Sequence, residues 1–247
     1  MIEIKNYING ELLKSKNNIN VFNPSTGHVY AQCPNSDEND LEIAIKGSEK
    51  AFSKWAGMEQ TDRSNFLIKI ATLLENNLDK FAEAESLDNG KPLKLSKKLD
   101  IPRSIKNLNF FASIANDLEL ESFINGKVKN HILREPLGIV ATISPWNLPL
   151  YLFTWKIAPA LAMGNCVIAK PSEITPYTAY LFSQICIEAK LPKGVLNILH
   201  GEGTKIGEKI VKHNKIKAIS FTGGTKTGKK IADRASKTLK KISLEMG

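Results

Sequence analysis

Past Gly138, short solidly apolar runs at 139–143, 167–169, 195–199, 218–221 and 242–244 alternate with longer stretches. In those stretches, about 149–162, 175–189, 203–213 and 226–238, apolar residues recur at helical spacing. An apolar run without polar alternation is buried on both faces, and strand–helix–strand repetition of such runs predicts a parallel sheet covered by helices on each side. Right-handed crossovers bring every carboxyl end to one edge, where ligands bind in sheets of this kind. That edge collects 144–147, 170–173, 201–203, 222–225 and Glu245, which hold most of the polar and glycine-rich positions of this half.

Upstream the pattern differs, and no internal repeat is visible. Residues 1–35 read as short strands and turns, with Asn9-Gly10 and the run 23–27 as turn chemistry. Residues 37–117 are mostly helical. Leu41, Ile45, Ser48, Phe52 and Trp55 share one face, and Phe66, Leu67, Ile70, Leu73 and Leu74 share another after a start at Thr61 or Asp62. Asn89-Gly90-Lys91-Pro92 interrupts the helical run. Phe123, Ile124 and Val128 flank Asn125-Gly126, a hairpin signal.

The 247 residues, 42% hydrophobic and 24% charged, suit a globular chain with a substantial core and argue against fibrous or disordered classes. No apolar run reaches the roughly 18 residues of a membrane span, and no secretory or transit signal opens the chain, so a cytoplasmic location is expected. Cys33, Cys166 and Cys186 lack paired spacing and lie near no residue that would activate a thiol, which makes them structural. Four scattered histidines give no metal-ligand spacing. Of the net charge of +9, nearly all lies in residues 201–247, where twelve Lys or Arg face four Asp or Glu. Such an end would suit a polyanion. The plainer account is lysines on solvated helix faces, with balancing acidic surface beyond this chain.

Phe221-Thr222-Gly223-Gly224-Thr225-Lys226-Thr227-Gly228-Lys229-Lys230 joins a strand to a helix. Glycines permit close backbone approach to phosphate, and the helix start offers free N–H groups. The P-loop pattern fails because Lys230 stands where a hydroxyl must meet Mg²⁺; the alternative is a simple turn. In Pro145-Trp146-Asn147-Leu148-Pro149 two prolines leave the Asn147 amide as the free donor for an oxyanion, or Asn147 closes its own turn. Lys170-Pro171-Ser172-Glu173 either brackets a ribose, with Glu173 disfavouring a 2′-phosphate, or caps the helix that begins near Thr175. Glu245, flanked by Leu244 and Met246, suits a general base or is a frayed, solvated end.

These motifs, in this order, resemble the aldehyde dehydrogenase superfamily. The resemblance is carried by Ile143-Ser144-Pro145-Trp146-Asn147-Leu148-Pro149, Trp155-Lys156-Ile157-Ala158-Pro159-Ala160-Leu161 and Gly164-Asn165. It continues through Lys170-Pro171-Ser172-Glu173, Gly194-Val195-Leu196-Asn197, Phe221-Thr222-Gly223 and Leu244-Glu245-Met246-Gly247. With Asp100-Ile101-Pro102-Arg103 upstream, the stretch from Ser144 to Ala160 looks most like the muconic-semialdehyde branch.

The resemblance implies an α/β, Rossmann-like parallel sheet with helices on both faces, a helical N-terminal region and an oligomerisation hairpin at 118–136. It implies NAD-dependent oxidation of an aldehyde to a carboxylic acid through a cysteine thiohemiacetal and thioester. By the same resemblance Asn147 holds the oxyanion and Glu245 is the general base. Ile143, Ser144, Pro145, Trp146, Lys170, Ser172, Glu173, Gly203, Phe221, Thr222, Gly223, Gly224 and Thr227 take NAD in preference to NADP. Gly224 stands where the family usually carries Ser, which bears on one side-chain phosphate contact. The family's nucleophilic cysteine lies some three dozen residues past the LEMG-type motif. Residues 1–247 therefore read as the NAD-binding half, without the catalytic domain, of an enzyme that forms homo-oligomers at full length. An inactive NAD-binding module is the alternative; no nucleic-acid or membrane partner is expected.

Overall fold

The computed structural model describes residues 1–118 and 121–247. Five short strands open the chain: β1 (Ile2–Glu3), β2 (Asn6–Ile8), β3 (Glu11–Leu13), β4 (Asn18–Phe22) and β5 (Val29–Pro34). Asn9 and Gly10 both have positive φ, 52° and 79°, which makes the β2–β3 connection a type I′ turn. Helices α1 (Glu38–Ala56), α2 (Gln60–Asn76) and α3 (Leu78–Asn89) follow. Asp37 and Asp40 form a capping box at the start of α1, and α2 starts at Gln60, slightly ahead of the predicted Thr61 or Asp62. Gly90, left-handed at φ 76°, ends α3 where the sequence predicted a break. A short α4 (Leu93–Leu95) passes through a π-helical turn, Ser96–Asp100, into α5 (Ile101–Asn116).

Strands β6 (Glu121–Asn125) and β7 (Val128–Ile132) form the predicted hairpin; residues 119–120 of the expected 118–136 arm lie outside the described residues. The remaining elements are β8 (Ile139–Ile143), α6 (Pro149–Ala162), β9 (Cys166–Lys170), α7 (Tyr177–Glu188), β10 (Leu196–Ile198), α8 (Glu208–Lys212), β11 (Ile216–Gly223), α9 (Thr225–Ser236) and β12 (Lys241–Met246). The stretch 203–213, expected as one helix, begins instead with a π-helical turn at Gly203–Gly207.

A seven-stranded sheet runs in the order β12-β11-β8-β9-β10-β2-β3, with the first five strands parallel. Its antiparallel extension by β2 and β3 was not legible in the sequence. A separate small sheet, β1-β5-β4, has its own core of Ile4, Val21, Ala31 and Cys33. Cys33 lies inside β5, and Pro34 is the terminal strand residue, where a missing N–H is tolerated.

Helices α1, α8 and α9 cover one face of the large sheet; α6 and α7 cover the other, backed by α2, α3 and α5. Lysines and a histidine of the basic end reach across to α1 through Lys209–Glu38, His213–Glu42 and Lys215–Glu49. Part of the acidic balance expected outside the chain is thus supplied within it. Exposed apolar side chains concentrate on the hairpin, at Phe123, Ile124, Val128 and Ile132, and beside α5 and β12, at Phe110, Ile114, Trp155 and Ile242. No described helix is long and apolar enough to cross a membrane.

His200 follows β10, is buried, and has no hydrogen-bond partner on either ring nitrogen. Burial, aided by nearby Lys170, pushes its imidazole down to about 3. The unfolded chain takes up this proton near pH 6.5, so the contribution is intact above that value and is lost as pH falls toward 3. His200→Leu should therefore lose less melting temperature than the parent between pH 7 and 4.5 in thermal scans; parallel losses would contradict this assignment.

Candidate functional site

The carboxyl ends of β8, β9 and β11 and the turns that follow them enclose a cavity of about 400 Å³. Ile143, Lys170, Glu173, Gly203, Phe221 and Thr227, predicted separately from the sequence, all line it. The Lys170 ammonium is buried, with Nζ 2.8 Å from Glu173 Oε2 and donating to the Pro171 carbonyl at 3.1 Å. A buried ammonium requires such partners, and here they hold the Glu173 carboxylate, 31% exposed, at the rim.

Capping of the next helix by Ser172 or Glu173, the alternative raised by the sequence, does not occur. That helix starts at Tyr177, whose N–H donates to Asp88 from α3 at 2.8 Å. The Ser172 hydroxyl accepts from Ile174 N within its own turn.

On the opposite wall α9 begins with Gly224 in extended geometry, leaving the first amides, at Thr225 and Lys226, without intrahelical partners. Gly228 lets α9 settle on β12, since a Cβ there would meet Met246 Sδ at 2.1 Å. The Ser144 hydroxyl at the end of β8 is buried and makes no hydrogen bond. The cavity holds a buried cation and its carboxylate, while the free N-terminus of α9 and the orphan Ser144 hydroxyl lie outside its lining at the same sheet edge, a combination whose chemistry suits a dinucleotide.

Alternation along β11 and β12 turns the neighbouring residues to the other face. Thr222 pairs with Glu245 across the strands, and its hydroxyl donates to Glu245 Oε2 at 2.8 Å. Lys156 of α6 lies 3.4 Å from Glu245 Oε1 and donates to Ser220 Oγ at 3.2 Å. Its side chain is 1% exposed against 44% for Glu245, and burial lowers the ammonium below the ordinary lysine range. Glu245 is therefore neither frayed nor enclosed in apolar surroundings: it is a partly solvated carboxylate anchored by a buried cation. Thr222, grouped with the coenzyme residues, sits on this face too.

Asn147 lies in the turn between β8 and α6 and is exposed; among the described residues its side-chain amide makes no hydrogen bond, so it does not close its own turn. Pro145 is partly buried beside it and Trp146 is 54% exposed. Gly223 is the last residue of β11, and a Cβ on Gly224 would meet open space.

Glu202 was placed at this edge only as part of 201–203 and Lys230 only in the failed P-loop pattern; Thr204, Gly207, Glu208, Val211, Ile231 and Arg234, which complete the lining with them, were missed from the sequence. Arg234 and Glu208 form an ion pair at 3.0 Å across α8 and α9, and their separation of 26 residues gave no local signal. Sequence reasoning also missed Lys156 as a partner of Glu245, although Lys156 stood in a quoted motif. A larger groove of about 1070 Å³ between α1 and α8 is crossed by the paired surface charges already described, and its buried polar side chains, Asn35 and Ser36, are already engaged with Glu202 and Asn6. Burial pushes the Cys166 thiol up to about 12, and the Cys33 and Cys186 thiols upward as well, so none of the three is a ready nucleophile. Among the described residues no His, Cys, Asp and Glu cluster fit to hold a metal is present.

Comparison with known proteins bears on the same edge. A family model described as "Aldehyde dehydrogenase family" matches residues 12–247. A human protein named 2-aminomuconic semialdehyde dehydrogenase is 43% identical over 249 residues, covering all of this chain and 51% of that protein. The Escherichia coli 5-carboxymethyl-2-hydroxymuconate semialdehyde dehydrogenase is 35% identical, over all of this chain and 53% of its own length. Among solved structures, an NAD⁺ complex of aldehyde dehydrogenase from Bacillus cereus superposes with a TM-score of 0.96 at 34% identity, covering 99% of this chain and 51% of that one. The chain spans about half the length of the relatives it matches.

The Lys156–Glu245 pair predicts an asymmetric response to substitution. Glu245→Gln leaves a buried cation short of its carboxylate and should cost about 1 kcal/mol in urea denaturation at pH 7.5. Lys156→Met removes the buried charge itself and should be neutral or stabilising. The reverse order would contradict the pairing described above.

Proposed function

The chain belongs to the aldehyde dehydrogenase family, and we propose that it supplies the NAD-binding half of an enzyme that oxidises an aldehyde to a carboxylic acid. The observation that carries this reading is the division of one sheet edge into two faces. The cavity of about 400 Å³ opens on the α8–α9 side, and the Glu245 carboxylate lies on the α6 side of the same strands.

NAD, when bound, supplies the hydride acceptor. Glu173 accepts from the adenosine ribose hydroxyls while buried Lys170 holds it in place, and its charge opposes a 2′-phosphate, which favours NAD over NADP. The α9 N-terminus receives the pyrophosphate. The free Asn147 amide donates to the oxyanion formed when a thiolate attacks the aldehyde carbonyl. Once the thiohemiacetal has given up its hydride to that acceptor and become a thioester, Glu245 would take the proton of the water that hydrolyses it.

With Cys33, Cys166 and Cys186 buried, the thiolate comes from outside residues 1–247, in the remaining length of a family-sized enzyme or in a partner chain. The β6–β7 hairpin, with its exposed Phe123, Ile124 and Val128, is the proposed oligomerisation arm. Relatives named for muconic semialdehydes make an aldehyde of that class the proposed substrate, in the cytoplasm. A dinucleotide, rather than nucleic acid, is the anion served by the basic end.

Isothermal titration should give saturable one-site binding of NAD⁺ to the 247-residue chain, with NADP⁺ weaker. Glu173→Gln should narrow that gap, and Gly224→Ser, which fits in open space, should tighten NAD⁺ and add a helix cap worth a few tenths of a kcal/mol, on the order of what separates Ser from Gly. Equal affinity for the two coenzymes would remove the role given to Glu173. The chain alone should form no NADH with an aldehyde; if it did, a thiol within it would have to be the nucleophile.

A further inference from the structure

Asn89-Gly90-Lys91 marks the end of α3, and nothing in the functional reading uses it. Yet Asn89 Nδ2 and Lys91 Nζ both donate to the backbone carbonyl of Asn147, each at 3.3 Å. The Lys91 ammonium, 11% exposed, is held from two sides, 2.7 Å from Asp100 Oδ2 at the end of the π-helical turn and 3.5 Å from Glu85 Oε1 on α3. The other oxygen of Glu85 accepts from the N–H of Leu150, in the first turn of α6, at 3.4 Å. The segment is also tied to itself: Asn89 Oδ1 accepts from Lys91 N at 3.1 Å, and Ser86 Oγ donates to the Lys91 carbonyl at 2.6 Å.

Pro145 and Pro149 carry no N–H, so the 145–149 turn has few means of bracing itself. The Asn147 side-chain amide makes no hydrogen bond of its own among the described residues, so the bonds to its carbonyl are what fix the residue from which that side chain projects.

We propose that Lys91, gripped by Glu85 and Asp100, and Asn89 are positioning residues that clamp the Asn147 peptide and so aim the Asn147 amide at the reacting carbonyl. The last clause rests on the reading of Asn147 as the oxyanion donor; the clamp itself does not. The arrangement joins three elements distant in sequence onto one peptide. Asn89 and Lys91 come from the end of α3, Asp100 from the π-helical turn, and the clamped turn from the start of α6.

The clamp has a built-in reporter. Burial pushes the Glu85 carboxyl up to about 7, against the opposing pull of Lys91. The charged groups facing it are Lys91 from the loop, Asp100 from the π-helical turn and Asp88 from its own helix, while α6 presents the Leu150 amide. When Glu85 ionises, its carboxylate tightens its hold on the Lys91 ammonium and on the Leu150 N–H, so the bond from Lys91 to the Asn147 carbonyl changes in the same step.

Carbon-13 and nitrogen-15 NMR on the full 247-residue chain reads this directly. Between pH 5.5 and 8.5 the Asn147 carbonyl carbon and the Leu150 amide should titrate together with a midpoint near 7, and Glu85→Gln should abolish that shared step. Lys91→Met should move the Asn147 carbonyl carbon upfield and shift or split the Asn147 side-chain amide resonances, with restoration by Lys91→Arg; Asn89→Ala should move both in the same direction by less. A folded Lys91→Met variant with both Asn147 signals unmoved would overturn the clamp. If Lys91→Met does not fold, unmoved signals in Asn89→Ala together with no shared titration in the parent would overturn it equally. An oxidation assay in which a family-length enzyme tolerates loss of the Asn147 amide would remove the oxyanion reading alone and leave the NMR result standing.

Discussion

A parallel sheet buried on both faces has only one place to put polar chemistry, and the rest of this molecule follows from that restriction. β8 and β9 are flanked by strands on each side and by helices above and below, so side chains along their length must be apolar or fully satisfied, whereas β11 and β12, expected to be buried on both faces, keep one face partly open. At the carboxyl ends the strands stop, the chain turns, and side chains reach water. Lys170, Glu173, Ser144, Asn147, Thr222 and Glu245 are all found there. Helices enter at the same level, so the free amides of α9 point at the edge from which Lys170 and Glu173 rise.

One device is used twice at that edge. Lys170 and Lys156 each bury an ammonium, at 3% and 1% side-chain exposure, beneath a carboxylate that remains partly open to solvent, Glu173 in one case and Glu245 in the other. A buried cation cannot forgo its counter-charge, and the carboxylate above it is therefore held at the surface in a fixed orientation. The two pairs serve opposite faces of the strands, which separates the proposed coenzyme side from the proposed proton-transfer side at one edge. Lys91 extends the logic to a peptide: buried among Glu85 and Asp100, its remaining valence goes to the Asn147 carbonyl.

What the sequence disclosed and what it withheld divide along the range of the interaction. The apolar runs and the helix at 149–162 were legible because burial imposes a local period, and the helix matches α6 to the residue. The Asn-Gly turn at 9–10 was legible because few residues accept positive φ; in the second hairpin Gly126 does so too, but the turn falls one residue later than expected, at Gly126-Lys127, with Asn125 still in β6. Motif residues lining the cavity could be named one by one, since glycines, prolines and charges at strand ends stand out against apolar runs. The β2–β3 extension of the sheet was not legible, because strands of three residues carry too short a pattern to declare a partner. Arg234 with Glu208, Lys156 with Glu245 and Lys91 with the Asn147 carbonyl stayed hidden for a related reason: each joins residues brought together only by tertiary packing. The basic end misled in its own way, since its lysines meet the glutamates of α1, whose proximity depends on the helix layer.

The carboxyl edge of β8, β9 and β11 is the proposed dinucleotide site. Hydrogen–deuterium exchange of the 247-residue chain with and without NAD⁺ tests this directly. Binding there predicts slowed exchange confined to the turn after β8, the Gly203–Gly207 turn and the first turn of α9, with the α1–α8 groove unchanged. Protection of that groove instead, or no protection at the edge while the chain remains folded and NAD⁺ is present in excess, would contradict it.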